Sequence, residues 1–376
     1  MLRTLYFSRF LLLLVVCSTI SFAQMPLAKT AKVSILTCEK GNELYSLFGH
    51  TAIRIKDDPN ALDVVYNYGT FDFRTENFYL KFIKGDLRYF VSAYAYNEFY
   101  YEYTIENRSI YEQELLLTDI QKQQLFDALN HSLMSNEKYY TYKFIGRNCT
   151  NMVVDKVNQT LNTNSIVKTT EKGQTYREIL FPYLENHFYE NLGINIIFGK
   201  KVDEPGNKLF LPNQFMESLK TAQWNGKKIA SPPITLLKAV PEAAETSYWN
   251  SFFSFCIILV VLVATRKKWV YLTVFSILGL LGLFLSVVGL YSFHEEVSAN
   301  YNVLLFNPLL LVLVFMYWRK NWVWVNRIAL LLIISITIET IVLVNKPNLI
   351  MFSPIIVCLI LMLLPFLPKK LLPSVK

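Results

Sequence analysis

Tyr142-Lys-Phe-Ile-Gly146-Arg-Asn148-Cys149-Thr-Asn-Met-Val-Val154 is an extended stretch that breaks at a glycine and reopens as a helix with a thiol at its start. Val153, Val154, Val157 and Leu161 share one face of that helix. A helix start offers unpaired N–H groups and the positive end of the macrodipole. Both favour thiolate over thiol, and the same N–H groups can hold a developing oxyanion. The position therefore suits a nucleophile. The alternative is structural: an envelope protein permits a Cys38–Cys149 disulfide.

A thiolate enzyme needs a base. His131 and His187 lie in mixed-polarity helical stretches and read as surface residues. His50 follows a glycine at the mouth of an alternating strand, in Glu43-Leu-Tyr-Ser-Leu-Phe-Gly49-His50-Thr-Ala-Ile-Arg-Ile55. A hydrogen-bonded structural histidine is the competing reading. The next strand, Val64-Val-Tyr-Asn67-Tyr-Gly69-Thr-Phe-Asp72-Phe73, offers Asn67 or Asp72 to fix the imidazole tautomer. Asn67 is the nearer and the first choice, although either residue also suits the turn at Gly69.

Around these motifs the pattern predicts strands at Lys32–Thr37, His50–Lys56 and Asp63–Tyr68, then a short helix near Glu76–Lys84. Extended structure is expected around Tyr101–Leu117. Thr118 caps a helix running to about Leu133, and Lys138–Phe144 reads as extended. Further helices are expected at 174–188 and 212–221. The class is α+β.

From Trp249 onward five apolar stretches follow, at about 249–265, 269–291, 303–318, 322–345 and 349–367. Arg266-Lys-Lys268, the group Arg319, Lys320 and Arg327, and the group Lys369, Lys370 and Lys376 mark one side. The other side has 291–302, without a basic residue, and Lys346 alone. The positive-inside rule places the basic side and the C-terminus in the cytoplasm. Residues 24–248 then face outward. The N-terminus agrees: Arg3 and Arg9, an apolar run from Phe10 to Val16, and Ser21-Phe-Ala23 before Gln24 read as a signal peptide over 1–23. The domain plan is an exported domain over 24–230, a proline-containing linker over 231–248, a membrane bundle over 249–367 and a cytoplasmic tail over 368–376.

The formal charge of +8 does not describe the exported part. Residues 24–247 hold 25 Lys+Arg and 26 Asp+Glu, a net of −1; the rest holds 12 and 3, a net of +9. The excess is explained by orientation in the membrane, and a nucleic-acid partner is excluded.

A Gly-His opening one strand, a polar residue on the next and an Asn-Cys opening a later helix resemble the circularly permuted papain-like (NlpC-type) fold, in which His precedes Cys. The chain is more closely similar to the Lnb family of bacterial lipoprotein N-acyltransferases. The matching stretches are Leu36-Thr-Cys-Glu-Lys-Gly41, Leu44-Tyr-Ser-Leu-Phe-Gly-His-Thr-Ala-Ile53, Tyr66-Asn-Tyr-Gly-Thr-Phe-Asp-Phe73 and Arg147-Asn-Cys-Thr-Asn151. Weaker matches are Gly193-Ile-Asn195, Phe198-Gly-Lys-Lys-Val-Asp203 and the outer-loop run containing His294, Asn300-Tyr-Asn302 and Phe306-Asn-Pro308.

The resemblance implies transfer of a fatty acyl chain from a membrane phospholipid, through a thioester on Cys149, to the α-amino group of a diacylated apolipoprotein. His50 would move protons, with Asn67 orienting it. Asn148, Arg147 and Tyr45 would position substrate or oxyanion, and no metal or cofactor is required. A peptidoglycan-directed cysteine peptidase or amidase would use the same dyad, but as a soluble or singly anchored domain. A non-catalytic envelope protein stapled by Cys38–Cys149 is the third class. One anchor residue lacks a topological explanation. Glu339 sits about 9 Å from the outer end of the fourth apolar stretch, where an acidic group is costly unless it faces the bundle or water. With His294 and Asn302 it is the candidate for a lateral lipid-access site, against the plainer reading of a helix-to-helix hydrogen bond.

Overall fold

β1 (Lys32–Cys38), β2 (His50–Asp57) and β3 (Leu62–Thr70) pair as an antiparallel meander, with Cys38 opposite His50 and Ala52 opposite Asn67. The computed structural model describes residues 25–241 and 247–368, so the signal-peptide reading and the last lysines lie outside the described residues. The sheet continues with β4 (Arg88–Ala95), β5 (Ile110–Glu114) and β6 (Tyr139–Thr141). A small hairpin, β7 (Gln223–Trp224) with β8 (Lys227–Lys228), stands apart, and β9 (Ile234–Leu237) closes the far edge. The strand order is β6-β4-β3-β2-β1-β5-β9. Part of the stretch read as linker is thus a strand, paired with β5 from Ile110 to Glu112.

The helices of the exported domain are α1 (Phe78–Lys84), α2 (Tyr96–Ile105), α3 (Asp119–Met134), α4 (Cys149–Leu161), α5 (Tyr176–Leu180), α6 (Phe188–Ile197) and α7 (Pro212–Thr221). On one face of the sheet Val33, Ile35, Ile53, Ile55 and Tyr68 form a core with Leu125 and Leu129 of α3, Val153 and Val157 of α4, and Phe215 of α7. On the other face Leu36, Cys38, Ala52 and Val65 are covered by Phe99 and Tyr103 of α2. Because successive residues of a strand point to opposite faces, β1 and β2 bury nearly every side chain. Thr118 caps α3 through a full capping box with Gln121.

Three local expectations change. Residues 96–105 are helical, so the start of the stretch expected to be extended, 101–105, belongs to a helix, and β4 before it was not anticipated. The run is rich in tyrosine, which suits strands, but Phe99 and Tyr103 stand four residues apart and cover the second sheet face together. The helix expected over 174–188 ends at Leu180, where Pro182 imposes a tight turn, and α6 follows instead.

The membrane domain contains α8 (Phe252–Ala264), α9 (Lys268–Tyr291), α10 (Leu309–Trp318), α11 (Trp322–Leu343) and α12 (Leu349–Leu363). All five apolar stretches hold a helix. Among the described residues, three are long and apolar enough to cross a bilayer: α9, α11 and α12 with its final turn. At about 1.5 Å per residue, the 13 residues of α8 reach only about 20 Å. The third stretch is entered by a bend: residues 295–304, most of which precede it, form two short turns bent by 42° from α10. Gly282 of α9 permits this bend, since a Cβ there would sit 1.6 Å from the Phe306 carbonyl oxygen.

The turns of 292–306 are threaded into the exported domain. The Gly199 amide donates to Glu296 O (2.8 Å), and Lys200 N to Ala299 O (3.3 Å). Asn300 Nδ2 donates to the carbonyls of Ile196 and Ile197 (2.9 Å each). The fully buried Asn302 donates to Asn195 O and Ile196 O (2.9 and 2.8 Å). Beside them Asp203 bridges the buried Arg177 (2.6 Å) and Lys346, which follows α11. Gly199 has no room for a side chain, because a Cβ would meet Ser298 O at 2.0 Å. Gly199→Ala is therefore expected to loosen the threaded loop. Amide hydrogen exchange over 296–302 should accelerate and the melting temperature should fall by several degrees. Gly193→Ala, whose Cβ would meet nothing within 4 Å, should change neither.

Candidate active site

Asn148 is the N-cap of α4, and its side chain makes four bonds. Oδ1 accepts from Thr150 N (3.0 Å) and Asn151 N (3.1 Å), while Nδ2 donates to Phe144 O and Phe210 O (2.8 Å each). Asn151 answers by accepting from Asn148 N (2.7 Å) and donating to Ile145 O (2.8 Å). The cap therefore takes two of the four amides that a helix start leaves free, and the Cys149 amide is not one of them. Asn148 itself is committed to carbonyls and to the cap. It caps the helix that Cys149 opens and has no side-chain N–H to spare for a substrate, against the positioning role expected for it.

Cys149 lies where β2 and β3 begin to diverge. The Thr51 hydroxyl meets that of Thr150 at 2.9 Å, holding the α4 start against β2. From β3, Gly69 adopts a left-handed φ of +94°, and a Cβ there would be 3.5 Å from Cys149 Cβ. His50 opens β2, and its Nε2 bonds Asn67 Oδ1 at 3.0 Å. With Nε2 engaged, Nδ1 is the nitrogen open to the thiol. Asp72 is spent elsewhere: it is half-buried and binds the exposed Arg74 (3.0 Å). Of the two sequence candidates for the third position, only Asn67 reaches His50.

Burial works against charge on Cys149, but the His50 imidazolium, a hydrogen bond with it, the Thr51 amide and the Thr150 hydroxyl outweigh it. The thiol therefore titrates below its ordinary value. His50 mirrors this: burial pushes it down, while the Cys149 thiolate and the bonds to Cys149 and Asn67 push it up. The opposed shifts favour a thiolate beside an imidazolium, with both side chains half-buried. Cys38, a neighbour across the sheet, behaves in the opposite way. Burial raises it to about 12, which keeps it neutral. Both thiols are free, as are Cys256 and Cys358, so no Cys38–Cys149 bridge exists and the disulfide-stapled reading falls.

The other sequence candidates lie further out. Arg147 is exposed and stacks over the Tyr140 ring (5.2 Å). Tyr45 is exposed, and its hydroxyl donates to Glu106 Oε1 (3.2 Å). His294 Nε2 bonds Phe82 O (2.9 Å). Glu339 faces the bundle interior, fully buried, and neither of its oxygens has a hydrogen-bond partner. His294, Asn302 and Glu339 therefore do not line one shared opening, and the sealed Asn302 serves the threaded loop.

Sequence reasoning missed Glu296. It is buried, and its Oε1 accepts from Ile145 N at 3.0 Å, so the membrane domain's outer loop grips the turn that precedes Cys149. The sequence marks it only as the second of two acidic residues in the outer loop.

Residues 22–180 match the model of the Lnb N-terminal periplasmic domain, and residues 237–367 match that of the Lnb transmembrane domain. This chain belongs to the Lnb family. Membership makes it an inner-membrane protein with an exported N-terminal domain, and points to a lipoprotein-modifying role. No curated protein and no solved structure matches the chain.

The two opposed shifts fix the pH behaviour of any Cys149 chemistry. The thiolate is lost as pH falls through the lowered thiol pKa, and the imidazolium as pH rises through the raised His50 pKa. Iodoacetamide alkylation of Cys149 in the Lnb-family chain should therefore stay fast well below pH 9.0, the ordinary thiol value. Turnover should trace a bell. Asn67→Ala removes a bond that favours the imidazolium, so its alkaline limb should move to lower pH, whereas Asp72→Ala should leave both limbs in place.

Proposed function

We propose that the protein is a lipoprotein N-acyltransferase that carries a phospholipid acyl chain on Cys149 and delivers it to the α-amino group of diacylglyceryl-cysteine. The observation that carries the reading is the Cys149–His50–Asn67 constellation, fixed at a turn that the membrane domain itself grips through Glu296. Both substrates are lipids, and this arrangement holds the nucleophile beside the bilayer.

The thiolate attacks the ester carbonyl of the phospholipid, and the Cys149 amide at the α4 start faces the developing oxyanion. The C–O bond breaks and His50 gives its proton to the departing lysophospholipid alkoxide. Cys149 is left as a thioester and His50 neutral. The neutral α-amine of the apolipoprotein then attacks the thioester, His50 accepts the amine proton, and the C–S bond breaks. The products are the N-acyl amide and the original ion pair. The basic loops Arg266–Lys268 and Arg319–Lys320 set the orientation of the bundle, with the C-terminus cytoplasmic and the site on the periplasmic side.

Wild-type protein incubated with phospholipid alone should accumulate a hydroxylamine-sensitive acyl adduct on Cys149, seen by mass spectrometry. Cys149→Ser and His50→Ala should each abolish it while the protein remains folded and inserted. In cells, a lipoprotein should lose the mass of one acyl chain when Cys149→Ser replaces the wild type. Unchanged lipoprotein mass would remove the acyltransferase assignment.

A further inference from the structure

α1 is a poor helix for an aqueous surface. None of its seven residues is buried, and Tyr79, Leu80 and Phe82 are 75%, 68% and 46% exposed. Phe73, in the preceding turn, is 63% exposed and packs on Phe78 at 5.0 Å. A helix this short does not persist through its own hydrogen bonds, and a contiguous apolar patch of this kind marks a contact surface. α1 carries two lysines, Lys81 and Lys84, and no acidic residue.

The membrane domain fixes where this patch lies. The last three carbonyls of α1 accept from the residues that immediately follow α9, Phe82 O in addition to its bond from the Gly85 amide. His294 Nε2 bonds Phe82 O (2.9 Å), Ser292 Oγ bonds Ile83 O (2.9 Å) and Phe293 N bonds Lys84 O (2.8 Å). The contact is close, since a Cβ on Gly85 would meet His294 N at 2.9 Å. α1 is therefore carried at the outer end of a spanning helix, beside the exposed Tyr291 and Phe293. Exposed aromatic rings and lysines at such a level suit the boundary between acyl chains and headgroups.

From this patch a row of rings runs inward: Phe78 to Phe71 (6.0 Å), Phe71 to Tyr89 (5.2 Å) and Tyr89 to Tyr142 (4.3 Å). Tyr142 lies near Cys149; burial first, and then the Cys149 charge, holds its hydroxyl neutral. We propose that α1, with Phe73 and Phe293, is seated in the outer leaflet and forms the wall along which a phospholipid acyl chain passes to Cys149. The seating stands on the geometry alone, and the passage rests on the acyltransferase reading above.

The test uses the full-length protein in phosphatidylcholine nanodiscs. In a Cys149→Ser background, Tyr79→Cys or Leu80→Cys is spin-labelled, and the signal of the background protein is subtracted. Ile120→Cys on α3, an exposed position, serves as the aqueous control. Collisions with oxygen, which concentrates in lipid, should exceed those with a water-soluble nickel chelate at 79 and 80, with the reverse at 120. Nickel preference at both α1 positions would overturn the seating, and this readout is blind to any chemistry at residue 149. In the otherwise wild-type protein, Leu80→Glu should slow formation of the Cys149 adduct from bilayer phospholipid several-fold. An unchanged rate would overturn the passage. Absence of an adduct from the wild type would instead indict the acyltransferase reading.

Discussion

The four hydrogen bonds of the Asn148 side chain are the constraint on which the site depends. An N-cap ordinarily contributes about 1 kcal/mol. Here the same amide also satisfies two carbonyls, one of them, Phe210 O, brought from 62 residues along the chain. Removing it would leave buried polar groups unpaired as well as an uncapped helix. The cap consumes the second and third amides of α4 and leaves the first, that of Cys149, outside its bonds. His50 then needs only to stand at the mouth of β2, where the sheet register already holds it.

The turn from Lys143 to Arg147 is fastened from three directions. Asn148 holds Phe144 O, Asn151 holds Ile145 O, and Glu296 holds Ile145 N. The third fastening comes from the membrane domain. Exported and membrane parts meet through directional bonds to backbone, supported by the Arg177–Asp203–Lys346 cluster. Breaking one member of a buried ion cluster leaves an uncompensated charge, so such a junction resists sliding more than an apolar contact of similar area would. The outcome is that the turn preceding Cys149 is held by the outer loop of the membrane domain.

Free thiols at Cys38 and Cys149 show how two cysteines in one core can diverge. Cys38 sits between sheet and α2, where burial dominates and the thiol stays protonated. Cys149 is half-buried, and the His50 ring, the Thr51 amide and the Thr150 hydroxyl lower its pKa against the effect of burial. Burial by itself would keep both protonated, and the neighbours of Cys149 lower its pKa towards the thiolate.

Much of this was legible in the sequence because it is local. The alternation of β1 to β3, the Thr118 cap, the thiol at the start of α4 and the five apolar stretches are written within a few residues of one another. The capping role of Asn148 was also legible, since Asn before Cys149 with Asn151 three residues on is a cap pattern, but the chemistry of the thiol obscured it. Where two patterns competed, sequence fell short. The tyrosines of 96–105 suit a strand, and only the uncovered second face of the sheet makes them a helix. The first and third apolar stretches are nearly long enough on paper to span, yet α8 is short, and the close approach of Phe306 to Gly282 accompanies a short α10. The choice between Asn67 and Asp72, the grip of Glu296 on Ile145 and the burial of Asn302 each join residues far apart in the chain. Sequence alone determined which residues are chemically able to act and on which side of the membrane they lie, because propensity, capping and hydropathy act over short spans. Which of them meet was decided by tertiary packing, since only the closed sheet and the threaded loop bring those distant groups within bonding distance.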